Sequence, residues 1–96
     1  MSKIERINEL VGNKNYDEAK PLINECLKEN PNDIEVLKLA GLAEVNLSCW
    51  NNAKKFFETV VKLAQEDATS WFYLANCYNN LGDFISAKNA YKTVID

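Results

Sequence analysis

The sequence predicts an all-α protein built from stacked helix pairs, and three observations support this prediction. Ala19, Ala53 and Ala87 lie 34 residues apart, and each has an aromatic residue three positions before it and a lysine directly after it. Apolar residues recur at intervals of three, four and seven, which is the spacing of one helix face. No segment alternates strictly between apolar and polar residues, as a half-buried strand does. A period of this length is typical of repeats that bury their apolar faces on one another.

The apolar spacing predicts six helices in order along the chain. They are expected over residues 2–12, 16–29, 33–46, 50–64, 68–81 and 84–95. Asn15 is the candidate N-cap of the second helix, with Glu18 three residues later as its capping-box partner. Asn32 and Glu35 have the same spacing before the third helix. Asp67 is the candidate N-cap of the fifth.

Proline and glycine explain the breaks between these helices. Pro31 disfavours helical backbone at the residue before it and so separates the second helix from the third. Gly82 can adopt the left-handed conformation that ends the fifth helix, and Asp83 can cap the sixth. Pro21 falls inside the second helix, where it removes one backbone hydrogen bond, so we expect a kink over Asp17–Pro21.

Composition and charge restrict the class of protein. The 96 residues are 47% hydrophobic and 26% charged, which is ordinary for one globular domain. Lysines and acidic residues are interspersed and the formal net charge is −3, so neither nucleic acid nor an anionic membrane is an expected partner. The N-terminus leads straight into a charged segment, and no apolar run approaches the length of a membrane span. We therefore expect a cytoplasmic protein.

The residues that most enzymes use are missing or unsuitably placed. There is no histidine, which excludes histidine-activated nucleophiles and histidine metal ligands. No glycine-rich phosphate loop is present. Cys26, Cys49 and Cys77 are too widely spaced for a Cys-x-x-Cys metal site, and their odd number argues against a disulfide framework. The sequence thus predicts a non-enzymatic protein without cofactor or metal.

The three periods share a set of residues at matching positions. The third contains Trp71, Leu74, Ala75, Tyr78, Gly82, Phe84, Ala87 and Tyr91. The second contains Leu37, Ala40, Gly41, Glu44, Ala53 and Phe57, with Gln65 where the pattern has proline. The first is degenerate early, with Lys3, Arg6, Ile7 and Leu10, and fits later, with Tyr16, Ala19, Ile23 and Pro31. This pattern resembles the signature of the tetratricopeptide repeat (TPR) family, Trp-x2-Leu-Gly-x2-Tyr followed by Ala-x3-Phe and Pro.

The resemblance implies a right-handed superhelical stack of three antiparallel helix pairs, a TPR solenoid. Residues 1–96 would form a single TPR domain with repeats at about 1–33, 34–67 and 68–96. The third repeat is five residues short of the full period, and no polar helix follows to cap it. We therefore expect either a fragment of a longer protein or a chain that self-associates through its uncapped C-terminal helix pair. The residues of that apolar end are Phe84, Tyr91, Val94 and Ile95.

The resemblance also implies a protein-protein interaction scaffold that binds a peptide or protein segment in a concave groove lined by the first helix of each pair. Apolar and aromatic groove residues would bury a partner's side chains, and asparagines, which both donate and accept, would bond its backbone. The expected groove residues are Asn8, Lys38, Leu39, Leu42, Val45, Asn46, Thr69, Phe72, Tyr73, Asn76, Asn79 and Asn80. Asparagine is frequent on every face of the chain, so a merely solvated face is the alternative.

One kind of groove is disfavoured. TPR adaptors that grip the C-terminal carboxylate of chaperones use two lysines, two asparagines and an arginine. The matching positions here hold Ile4, Asn8, Leu39, Thr69 and Tyr73, of which only the asparagine agrees. Acidic chaperone tails are therefore not the expected ligand.

Two other functions remain as alternatives to peptide binding. The array can be a structural module for self-association or for intramolecular packing within a longer protein. An RNA-reading helical repeat has a similar period, but the acidic charge and the Trp71, Leu74 and Tyr78 signature argue against it.

Overall fold

A computed structural model describes residues 1–95 of the chain. Its six helices are α1 (Lys3–Gly12), α2 (Tyr16–Glu29), α3 (Ile34–Asn46), α4 (Trp50–Leu63), α5 (Ala68–Asn80) and α6 (Phe84–Ile95). No strand occurs within residues 1–95. The six predicted helices are confirmed, each to within one residue at either end. Helix α2 continues through Pro21, and its expected kink stays a prediction.

The turn inside each helix pair has the same geometry three times. Lys14, Ser48 and Gly82 occupy equivalent positions and have positive φ angles of 64°, 58° and 84°. The helix before each turn therefore ends in a Schellman motif, which satisfies carbonyl groups that the last helical turn leaves free. The closing bonds run from the N–H of Asn15, Cys49 and Asp83 to the carbonyl oxygens of Leu10, Glu44 and Tyr78, at 2.8, 2.8 and 2.9 Å.

Of the four predicted N-caps, Asp67, Asp83 and Asn15 occupy the N-cap position, and Asn32 does not. The side chains of Asp67 and Asp83 each accept from the backbone N–H three residues on, at 3.3 and 3.2 Å. Asn15 is the N-cap residue of α2, but its side chain makes no capping bond, and its backbone N–H closes the turn after α1. Asn32 lies one residue before the N-cap position of α3, and its backbone N–H donates to the Asn30 side-chain oxygen. Asp33 caps α3 instead.

The helix pairs pack in chain order, and each pair buries apolar side chains on the next. Contacts join α1 to α2, α3 to α4 and α5 to α6, and α2 to α3 and α4 to α5 link the pairs. One core cluster lies between the first pair and α3, around Ile7, Ile23 and Val36. A second cluster forms around Phe57, between α4 and α5. The stack is elongated, with extents of 40 × 24 × 19 Å.

Glu44 is a buried charge at the junction of the first two pairs. Its sequence position breaks the apolar stripe of α3, yet it is only 7% exposed. The Lys20 ammonium of α2 lies 3.3 Å from one carboxylate oxygen, and the Asn52 amide of α4 donates to the other at 3.5 Å. These two partners offset part of the cost of desolvating the carboxylate.

Candidate functional site

Four of the predicted groove residues line one depression between α1 and α3. Its volume is about 410 Å³, and its lining consists of Asn8, Ile34, Glu35, Lys38, Leu39 and Leu42. Leu39 is buried in the first core cluster and supplies the floor, whereas Asn8 and Glu35 are exposed at its edge. The structure thus combines an apolar floor with polar side chains around it.

Lys38 is the one cation among the predicted groove residues, and it is neutralised. Its ammonium lies 2.7 Å from a carboxylate oxygen of Asp67, the N-cap of α5. The bond from Lys38 is the main cause of a lowered Asp67 pKa, and the Ser70 backbone N–H adds to it. Glu35, by contrast, forms no ion pair within residues 1–95. The depression therefore carries a local excess of negative charge.

Four aromatic rings form a second feature along α5. Tyr73 stacks on the buried Phe57 with ring centroids 5.4 Å apart. Phe72 lies edge-on to both Tyr73 and Tyr91, at centroid distances of 5.9 and 6.2 Å. Even so, Phe72 is 46% exposed. Its ring is consequently held in place on two sides while still presenting apolar surface to solvent.

The amides predicted to bond a peptide backbone are partly occupied. The Asn46 side chain donates to the Leu42 carbonyl at 2.9 Å, and the Asn80 side chain donates to the Asn76 carbonyl at 2.8 Å. The Asn76 side-chain oxygen accepts from the Tyr91 hydroxyl. Each amide is thereby oriented, and its other polar atom makes no hydrogen bond within residues 1–95.

The remaining predicted residues are not brought into one continuous groove. Asn79 lines a different depression, of about 510 Å³, at the end of the stack beside Phe84 and Tyr91. Val45 is half-buried against the second core cluster. Thr69 is exposed in the first turn of α5.

A depression of about 560 Å³ lies around Trp71 and Tyr78 and was not predicted from the sequence. Two of its polar groups are already engaged: the Trp71 indole N–H donates to the Gln65 carbonyl at 2.7 Å, and the Tyr78 hydroxyl donates to Glu58 at 2.9 Å. Burial and the neighbouring Glu58 raise the pKa of Tyr78 to about 12. Both residues are signature positions of the repeat, which indicates a packing role.

No group of three or more His, Cys, Asp or Glu side chains within residues 1–95 could hold a metal ion. Cys77 is fully buried, and desolvation raises the pKa of its thiol to about 11, so the nucleophilic thiolate is scarce at neutral pH. None of the helices in this part of the chain is both long and apolar enough to cross a membrane.

Comparison with known proteins agrees with this architecture. The sequence model described as "Tetratricopeptide repeat" matches residues 8–33 and 68–96, which together are more than half of the chain. The chain therefore belongs to the tetratricopeptide repeat family, and its fold is the all-α TPR solenoid that the sequence predicts. Members of this family are generally non-catalytic interaction scaffolds. No protein of curated function matches the sequence.

Solved TPR structures superpose closely on this chain. A MamA structure, the D159K mutant, has a TM-score of 0.89 at 23% identity over 96% of this chain and 50% of its own. MamA from AMB-1 has a TM-score of 0.83 at 25% identity over 88% of this chain and 46% of its own. The TPR domain of Arabidopsis FLU has a TM-score of 0.81 at 17% identity, over 97% of this chain and 88% of its own. The chain thus spans about half the length of these MamA structures.

Proposed function

We propose that this chain is a non-catalytic scaffold that binds a peptide or protein segment along the face formed by α1, α3 and α5. The observation that carries the proposal is Phe72, an exposed aromatic ring fixed between Tyr73 and Tyr91. A rigid aromatic ring contributes large apolar area to binding at a low entropic cost, and such residues are frequent binding hot spots.

The neighbouring amides support a partner with an accessible backbone. Asn76 and Asn80 lie on the same helix as Phe72, and each has one polar atom already bonded and one available. An extended segment or the end of a helix offers backbone groups that such amides can bond whatever the partner's side chains are. We propose in addition that the three repeats, at about 1–33, 34–67 and 68–96, act as a single domain.

The proposal is tested by affinity capture from a lysate with the wild-type chain and two variants. Phe72→Ala removes the exposed ring, and Ile85→Ala is the matched control, because Ile85 is 78% exposed on α6. Circular dichroism must first show that all three chains are folded. We expect wild type and Ile85→Ala to capture the same protein and Phe72→Ala to lose it. Equal capture by Phe72→Ala would contradict the proposal.

A specific observation favours a second candidate, a structural module for self-association or intramolecular packing. Phe84 and Ile95 are 66% and 84% exposed and line the apolar depression at the end of the stack. The equivalent residues of the second pair, Trp50 and Val61, pack in the second core cluster together with residues of α5. A mass that rises with concentration in sedimentation experiments would support this candidate, and a monomer throughout would count against self-association.

A further inference from the structure

We infer that the depression between α1 and α3 receives an aliphatic side chain of the partner and that Glu35 pairs with a basic residue next to it. This inference rests on the proposed function, since it specifies the chemistry of a segment bound on the same face. It adds a subsite and a charge preference that the exposed ring of Phe72 does not imply.

The shape and lining of the depression indicate that it receives an aliphatic side chain of the partner. Leu39 and Leu42 on α3, with Ile34 at the helix start, supply apolar surface within a volume of about 410 Å³. Aliphatic side chains gain free energy in proportion to the apolar area that they remove from water. No aromatic ring lines this depression, in contrast to the surface around Phe72.

The charges around the depression indicate that the partner has a basic residue next to its aliphatic side chain. Lys38 is engaged by Asp67 at 2.7 Å, so its ammonium is already paired and half-buried. Glu35 is exposed on the same helix and has no ion-pair partner within residues 1–95. A lysine or arginine of the partner would pair with Glu35 without disturbing any existing contact. An acidic residue would be repelled by Glu35 and could reach Lys38 only by competing with Asp67.

The experiment uses three synthetic peptides of equal length that contain one leucine flanked by lysines, by glutamates or by serines. Each is titrated into the ¹⁵N-labelled full chain at low salt, and amide chemical shifts are followed by NMR. We expect the lysine-flanked peptide to bind most tightly and to shift the amides of Asn8, Leu39 and Leu42. Glu35→Gln should weaken its binding about two- to fivefold, the range measured for exposed ion pairs. Added salt should remove this difference.

Asp17→Asn is the matched control, because it removes one exposed negative charge at the start of α2, outside the depression. It should leave the affinity for the lysine-flanked peptide unchanged. Equal affinity of all three peptides at this depression would overturn the charge preference while leaving peptide binding intact. Absence of shifts at the depression would overturn the subsite itself, and the Phe72→Ala capture experiment would still test the proposed function separately.

Discussion

Gly41 and Phe57 determine how closely α3 and α4 can approach. A Cβ atom on Gly41 would lie 2.6 Å from two carbons of the Phe57 ring, which is fully buried and has no room to move away. In the sequence, Gly41 stands at the glycine position of the repeat signature. The residue it packs against follows from the three-dimensional approach of two helices and was not predicted.

Gly41→Ala should therefore destabilise the chain by about 1–3 kcal/mol, the usual cost of overpacking a core. This result is diagnostic because alanine is the better helix former by about 1 kcal/mol, so helix propensity alone predicts the opposite sign. Gly12→Ala is the control, since a Cβ there meets no atom within 4 Å. Urea unfolding of the variants measures the difference. A Gly41→Ala chain as stable as wild type would contradict the close packing.

Residue-scale prediction from sequence succeeded where one residue type dominates and failed where several types serve equally well. Asp67, Asp83 and Gly82 have the capping and turn roles that the sequence predicts. Asn32 was wrong because asparagine also accepts bonds in turns, and the backbone path places Asp33 at the N-cap of α3. Asn15 is at the N-cap position of α2, but its side chain makes no capping bond.

At the scale of elements, the turn inside each helix pair contains one residue in a left-handed conformation that favours glycine. In two of the three turns this residue is not glycine. Lys14 and Ser48 adopt the same left-handed conformation as Gly82. A non-glycine residue in this region costs roughly 1–2 kcal/mol because its Cβ crowds the following carbonyl. From the sequence, this left-handed conformation was predicted only at Gly82.

Ser48→Gly should stabilise the chain by up to about 1 kcal/mol, since it relieves the strain but adds freedom to the unfolded state. Gly82→Ala should destabilise it by a similar amount, through its φ of 84° alone, because a Cβ there meets no atom within 4 Å. Ser48→Ala keeps the strain and is the matched control, with no gain expected. Thermal unfolding followed by circular dichroism ranks the variants. Destabilisation by Ser48→Gly would contradict the assigned turn geometry.

The Lys38–Asp67 ion pair joins α3 to the start of α5 and makes their association depend on pH. Because the pKa of Asp67 is lowered in the folded chain, its contribution is complete above the unfolded pKa of about 3.8 and is lost as the pH falls through the folded value. Asp67→Asn keeps a good N-cap but removes the charge. The free energy of unfolding should fall by about 0.5–1 kcal/mol at pH 7, and the difference from wild type should shrink as the pH falls below about 3.8.

Asp33→Asn is the matched control for this pair. Asp33 caps α3 at the position equivalent to Asp67 and has no cation partner within residues 1–95. Its substitution should change stability less at pH 7. An Asp67→Asn effect that persists undiminished at pH 3 would show that the ion pair is not its cause.

At the scale of the whole molecule, the fold could be predicted from the periodicity of the sequence. The candidate site could be predicted only in part. Every helix has its apolar residues at helical spacing, so six helices and their stacking follow from local pattern. The arrangement of Phe72 between Tyr73 and Tyr91 joins two helices, and the pairing of Lys38 with Asp67 joins residues 29 positions apart. Such contacts depend on how the pairs pack, so the sequence indicated the face but not which of its groups are free.

The most direct measurement is the affinity of the captured partner segment for wild type, Phe72→Ala and Ile85→Ala, determined by isothermal titration calorimetry on chains shown to be folded. If the α1, α3 and α5 face binds the segment through its fixed aromatic ring, Phe72→Ala should weaken binding at least about tenfold, as expected for a hot spot. Ile85→Ala should match wild type. Equal affinity of Phe72→Ala and wild type, with a loss in Ile85→Ala, would contradict this site and place binding on α6.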